Sequence, residues 1–274
     1  MSNPQPGQSE VQARFVALLD VHLNARYPLL YLVSWEEQRV DALLQGLATK
    51  HGRDLVAWTI TRGLHRVSGK ASAFGDSTKD PMDALAAIAK LTSPSIVVLK
   101  DFHPYLNDPT IIRAVRDVSQ RLKTANTTLF ILSPVLNLPV ELEKEASLLD
   151  VPLPTFDELA NLLREIIHVL WQGSRASVKI TNEDGARIVR AALGLTLSEA
   201  ENAFAKAIAH DNTLSGDAVP IILEEKRQVI RKSGLLAYYA PEPRPWSQSL
   251  RTGSRGPPPR RGGQRWCRLR DGTR

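Results

Sequence analysis

The sequence predicts a three-layer α/β fold built on a parallel sheet, followed by a small helical bundle and an irregular tail. Three observations predict it. Apolar, β-branched runs alternate with amphipathic segments of helical period up to about residue 152. From Pro154 to Tyr239 only the helical period remains. Beyond that point glycine, proline and arginine replace any apolar periodicity.

Four runs read as buried strands: Pro28–Val33, Leu55–Ile60, Ser95–Lys100 and Thr127–Leu132, with a shorter fifth candidate at Leu148–Val151. Helical stripes separate them. Val40, Leu43, Leu44 and Leu47 form one; Met82, Leu85, Ile88 and Ala89 form the next, after Asp80 and Pro81, residues suited to an N-cap and to the first helical position. Ile111, Ile112, Val115, Val118 and Leu122 supply a third. Strands alternating with helices of this length indicate βαβ units, with helices on both faces of a parallel sheet.

The helical part opens with Thr155-Phe156-Asp157-Glu158, a capping box in which the threonine and glutamate satisfy each other's backbone N–H groups. Its stripe runs through Leu159, Leu163, Ile166, Ile167 and Leu170 to Gly173. A second helix is expected over 182–193 and a third after the box Thr196-Leu197-Ser198-Glu199, burying Ala200, Phe204, Ala207 and Ile208. A fourth is expected near 219–235. The expected organisation is a flexible N-terminus over 1–12, an α/β domain over 13–152, a helical subdomain over 153–239 and a disordered tail over 240–274.

Charge follows the same division. The chain carries +6 overall, but residues 241–274 hold nine arginines, no lysine and two acids, so the body is nearly neutral. Arginine without lysine, mixed with glycine, proline and tryptophan, is also what a GC-rich gene yields when read out of frame. A Walker A motif in another frame beyond codon 235 would identify that origin. No apolar run approaches the roughly 18–20 residues of a membrane span. The polar N-terminus lacks a signal-peptide core, and a single cysteine (Cys267) excludes a disulfide framework, so a cytoplasmic protein is expected. The six histidines show no paired ligand spacing.

The most informative junction is Leu29-Leu30-Tyr31-Leu32-Val33-Ser34-Trp35-Glu36-Glu37. A strand feeding a helix is where a P-loop protein carries the glycine-rich, lysine-ended loop that cradles phosphates. Here two carboxylates stand in that place, with Ser34 expected as N-cap and Glu37 as its capping-box partner. The run from Gly63 to Ala71 resembles a Walker A loop only superficially: five residues separate the glycines where four are required, and alanine replaces the magnesium-binding hydroxyl. Arg62, His65, Arg66 and Lys70 are therefore expected in a solvated loop that a partner can touch. The strand ending Leu99-Lys100-Asp101 is Walker B-like, but Phe102 stands where the catalytic glutamate would be. Ser133, after Leu129–Leu132, occupies a sensor-like position. Asp101 and Ser133 are thus the candidate nucleotide-site residues, both vestigial, and no catalytic or metal-binding residue is assigned.

Four segments in order, Tyr27–Arg39, Trp58–Leu64, Gly194–Asn202 and Glu225–Tyr238, together resemble the Ycf-type AAA ATPases, named for the forty-sixth conserved plastid reading frame. The resemblance covers residues 10–239 and implies a P-loop-NTPase-like (AAA) α/β unit with a lid-like helical part, degenerate in its nucleotide site. In that family an ATP-hydrolysing domain follows, and it holds the Walker A, Walker B and arginine residues, the ATP and the magnesium. None of those residues carries over to this chain, which departs from the family at that junction. The family's association with regulating photosynthesis and carbon uptake in phototrophs is likewise only an implication of the resemblance.

The resulting expectation is a non-catalytic AAA-like module serving assembly or partner binding, without ATP or magnesium of its own. Its partner would be another protein or the absent AAA domain, with homo-oligomerisation open and no membrane involved. Two alternatives stand beside it: nucleic-acid binding through the basic tail, and a hydrolysis-poor ATP sensor using Asp101, Ser133 and Arg62.

Overall fold

A computed structural model describes residues 7–69, 74–173, 177–178, 180–211, 213–214 and 217–232. In chain order the elements are α1 (Gly7–Asn24), β1 (Leu29–Val33), α2 (Glu37–His51), β2 (Asp54–Thr59), β3 (Gly63–Ser68), α3 (Pro81–Ile88), β4 (Ser95–Lys100), α4 (Pro109–Leu122), β5 (Thr127–Ser133) and β6 (Ala146–Asp150). The helical part follows with α5 (Phe156–Gly173), β7 (Ser177–Val178), α6 (Asn182–Ala192), α7 (Leu197–Asp211), β8 (Thr213–Leu214) and α8 (Ala218–Lys232). The expectations for the tail, for Lys70 and for Cys267 lie outside the described residues.

The main sheet has the order β3-β2-β4-β5-β1-β6. All neighbours run parallel except β3, which pairs antiparallel with β2. Period-two alternation divides its side chains cleanly. Tyr31, Val56, Trp58, Val97, Leu99, Leu129 and Ile131 face one layer, closed by α3 and α4 through Leu85, Ile88, Ile111, Val115 and Leu122. Leu30, Leu32, Leu55, Ile96, Val98, Phe130 and Leu132 face the other, closed by Phe15, Leu19 and Leu23 of α1 and Val40, Leu44 and Leu47 of α2. A third core, of the helical part, gathers Leu159, Leu163, Ile188, Phe204, Ala207 and Ile222.

Local signals act where the sequence places them. Asp80 caps α3 by accepting from the N–H groups of Met82 and Asp83, with Pro81 in the first turn. Both capping boxes close. Thr155 N–H donates to Glu158 Oε2 at 2.8 Å and Glu158 N–H to Thr155 Oγ1 at 3.3 Å. Thr196 and Glu199 repeat the pattern at 2.9 and 3.3 Å.

Three expectations are corrected. Helix α1 already begins at Gly7, inside the stretch read as flexible. Its residues Phe15, Leu19 and Leu23 cover a sheet face, and one turn before them Gln12 accepts from Arg39, so the helix is anchored on both sides of the expected boundary. The Gly63–Ser68 segment, expected as a loop, is the edge strand β3, and it carries His65 and Arg66. Arg66 Nη2 lies 3.7 Å from Asp54 Oδ2, and His65 Nδ1 lies 3.0 Å from Gly63 O. The sheet is accordingly mixed. Gly63 opens the strand at φ 71°, where an added Cβ would lie 2.6 Å from Thr78 Oγ1. The third correction concerns the start of α2, at the corner described next.

Candidate functional site

The carboxyl ends of β1, β5 and β4 lie side by side, the edge where open α/β sheets bind ligands. At the β1 exit, Ser34 N–H prolongs the ladder by donating to Ser133 O at 2.9 Å. Ser34 Oγ then accepts from Glu36 N–H at 3.0 Å, a local turn and not a helix cap. Helix α2 starts only at Glu37, after Glu36, with no side-chain cap bond. The expected Ser34–Glu37 capping box therefore does not form, because the carboxylates at this corner are drawn to distant partners.

Glu36 is almost fully enclosed. Its Oε1 accepts from the backbone N–H of Leu197 at the start of α7 (2.7 Å), and its Oε2 from Arg39 Nη1 (3.1 Å). Arg39, only 9% exposed, is the hub. Nε and Nη2 donate to the two oxygens of Glu158 (2.9 and 3.2 Å), Nη1 also to Pro152 O (2.6 Å), and Nη2 also to Gln12 Oε1 (2.9 Å). All five guanidinium donors are used. They join α1, α2, the interdomain linker and α5. Burial acts to raise the Glu158 pKa, but hydrogen bonds from Arg39 and Thr155 and the Arg39 charge outweigh it, leaving the carboxyl below its usual value.

Glu37 faces the sheet. Its carboxylate lies 3.2 Å from Lys100 Nζ, which also binds Asp41 Oδ2 at 2.5 Å, one turn further along α2. Glu36 and Glu37, which read as phosphate-repelling, are thus both held in ion pairs within the chain. Arg39 and Lys100 are the two residues of this corner that the sequence reading did not single out. The local hints were a lysine ending an otherwise apolar strand and the i,i+3 spacing of Glu36 and Arg39; two of the arginine's other partners, Pro152 and Glu158, lie over a hundred residues away.

At the β4 exit Asp101 has φ 50°, a left-handed conformation that aspartate tolerates better than most residues. Its N–H donates to Leu132 O at 3.0 Å. Asp101 lines a cavity of about 150 Å³ with Ser34, Trp35, Glu37, Leu132 and Pro134. Phe102 is fully buried and packs edge-on against Trp58, ring centroids 5.2 Å apart. The position of the missing catalytic glutamate thus points into the core.

Ser133 is fully buried, and its hydroxyl is spent on the next turn. Oγ donates to Val135 O at 2.8 Å and accepts from Val135 N–H at 3.2 Å. Tyr31 Oη donates to the same Val135 carbonyl at 2.7 Å. Ser133 does not line the cavity that Asp101 lines, and neither does Arg62, an exposed residue of the β2–β3 turn.

Above this corner, between the sheet part and the helical part, a cleft of about 550 Å³ opens between the N-terminal turns of α2 and α7. Glu36, Glu37, Arg39, Leu162, Leu197 and Glu201 line it, with Trp35, three-quarters exposed, on its wall.

Comparison with known proteins agrees with this architecture. Residues 15–151 match the N-terminal domain of SpoVK-like AAA ATPases, and residues 157–233 match the second domain of the same family. The AAA domain-containing protein ycf46 of Guillardia theta is 28% identical over 230 residues, covering 83% of this chain and 44% of that protein. The ycf46 protein of Pyropia yezoensis is 28% identical over 228 residues, covering 82% of this chain and 44% of its own length. The chain thus spans less than half the length of these relatives. Among solved structures, C. elegans PCH-2 aligns with a TM-score of 0.52 at 11% identity, over 81% of this chain and 70% of that one. A chain of the E. coli MS115-1 HORMA:CdnC:Trip13 complex aligns at 0.51 with 15% identity, over 80% and 88%. Identities this low show the fold alone. Among the described residues no helix is long and apolar enough to cross a membrane. Taken with the sheet order, the helical part and the two consecutive domain matches, the chain belongs to the SpoVK-like AAA ATPase family.

Proposed function

We propose that this chain is a non-catalytic AAA-like module that serves assembly or partner binding, with ATP hydrolysis left to a domain beyond it. The observation that carries this reading is the occupation of the phosphate corner by the chain's own ion pairs. Lys100 pairs with both Glu37 and Asp41, and Arg39 with both Glu36 and Glu158, so each cation faces two carboxylates and the corner stays net negative. A polyphosphate entering there would have to displace paired groups and meet uncompensated carboxylates. The inward turn of Phe102 supports the same reading, since no glutamate is placed to orient an attacking water. In this proposal Asp101 and Ser133 are remnants that hold turns, and neither ATP nor magnesium is bound. The Arg39 network takes over the part a nucleotide would play at this seam, tying the helical part to the sheet part.

The test is direct. Purified full-length chain is expected to show no heat of binding with millimolar ATP and magnesium in titration calorimetry, and no phosphate release. Magnesium-dependent hydrolysis that Asp101→Ala abolishes would overturn the proposal.

A further inference from the structure

The cleft between α2 and α7 has a chemistry of its own. Three carboxylates and one guanidinium line it, and every donor of that guanidinium, Arg39, is already used. Glu36 is spent on Arg39 and Leu197. Glu37 keeps a part-exposed carboxylate, and Glu201 is exposed at the rim. Trp35 offers its indole, 75% exposed, beside these carboxylates. Leu162 and Leu197 supply apolar surface in the same cleft.

From this combination we infer that the cleft receives an arginine or lysine side chain presented by a basic segment of a partner protein. An indole face attracts a cation through its quadrupole. Carboxylates at the rim complete the charge match, and the leucines cover the aliphatic stem that arginine and lysine share. Nucleic acid is disfavoured, since its phosphates would meet the same carboxylates. The inference rests on the partner-binding reading above and specifies the partner's chemistry. It fails separately from that reading, because nucleotide binding and peptide binding are measured independently.

The probe is a fluorescein-labelled peptide of glycine and serine carrying three arginines, titrated at low salt by anisotropy. Two full-length proteins are used: the parent chain, and a variant with each of the nine arginines of residues 241–274 replaced by glutamine. Binding to the variant is expected, weakened about tenfold by Trp35→Ala and comparably by Glu201→Gln, the size of effect a cation–π or charge contact gives. Glu143→Gln, which removes an exposed carboxylate outside the cleft, is the control and should change nothing. Tighter binding to the variant than to the parent would show the chain's own arginines competing for the cleft, which supports its proposed chemistry. No binding to either protein overturns the inference, and so does binding that Trp35→Ala and Glu201→Gln leave unchanged.

Discussion

On both faces of the sheet, aliphatic and aromatic side chains close the layers, and the buried guanidinium of Arg53, donating to Thr128 Oγ1 and Leu23 O, stands at one end of the α1–α2 layer. At the seam between sheet and helices, Glu36, Arg39, Glu158 and the backbone of Leu197 and Pro152 are joined by hydrogen bonds and ion pairs. The two regions lie within a few residues of each other, since Val40, buried in the sheet core, follows Arg39 directly. The difference is one of directionality. Apolar burial is roughly proportional to area and tolerates many arrangements. The seam depends on angles and on a full complement of partners, so losing one member strands the others.

The largest break is expected on the apolar side. Phe102→Glu, which restores the residue type of a catalytic site, would place an unpaired carboxylate against Trp58. It is expected to cost about 4 kcal/mol or more without giving any ATPase activity. Urea denaturation and a phosphate-release assay check both halves; a stable, active variant would show that the core tolerates a charge there.

A smaller break is expected at the seam. Arg39→Gln leaves Glu36 and Glu158 without a cation and is expected to destabilise by about 3 kcal/mol. Its signature is local, with faster proteolysis around residues 152–155 while the sheet core stays protected in hydrogen exchange. Arg39→Lys should recover only part of the loss, because one ammonium cannot reach the guanidinium's five acceptor contacts. Uniform loss of protection throughout the chain would mean that sheet and seam unfold as one unit.

The smallest effect sharpens the comparison by pH. The Glu158 carboxyl titrates below its unfolded value of 4.5. Its contribution is therefore present above pH 4.5 and is lost as pH falls through the lower folded value. Glu158→Gln should be less stable than the parent at neutral pH, and the gap should narrow as the solution is acidified below 4.5. The sheet core alone would produce no such convergence.

Much of the sheet was legible because its signals are local. The runs at Pro28–Val33, Ser95–Lys100 and Thr127–Leu132 match β1, β4 and β5 within a residue. Asp80-Pro81 and the boxes at Thr155 and Thr196 each predict a helix start that forms. The same logic misplaced the start of α2, although Ser34-Trp35-Glu36-Glu37 carries the same spacing. A capping box competes with whatever else its glutamate can reach, and here Lys100 is within 3.2 Å. The strand β3 was obscured by two glycines and a basic composition; its pairing with β2 and the fit of Gly63 against Thr78 are contacts that span the loop. Of the candidate site, Asp101 does join Ser34, Trp35 and Glu37 around one cavity, while the Ser133 hydroxyl is turned into its own loop.

The sequence by itself determined the alternation of strands and helices, the change to a helical part near Pro154, the family, and the lack of a phosphate-cradling loop at the β1 exit. The family rests on the resemblance of four segments in order, and the other three on residue types within one turn or one strand of each other, where backbone geometry sets the period. Only the tertiary structure decided what occupies that corner instead. Arg39, Glu158 and Leu197 lie far apart along the chain, and their meeting depends on the angle at which the helical part folds against the sheet, which no local pattern encodes.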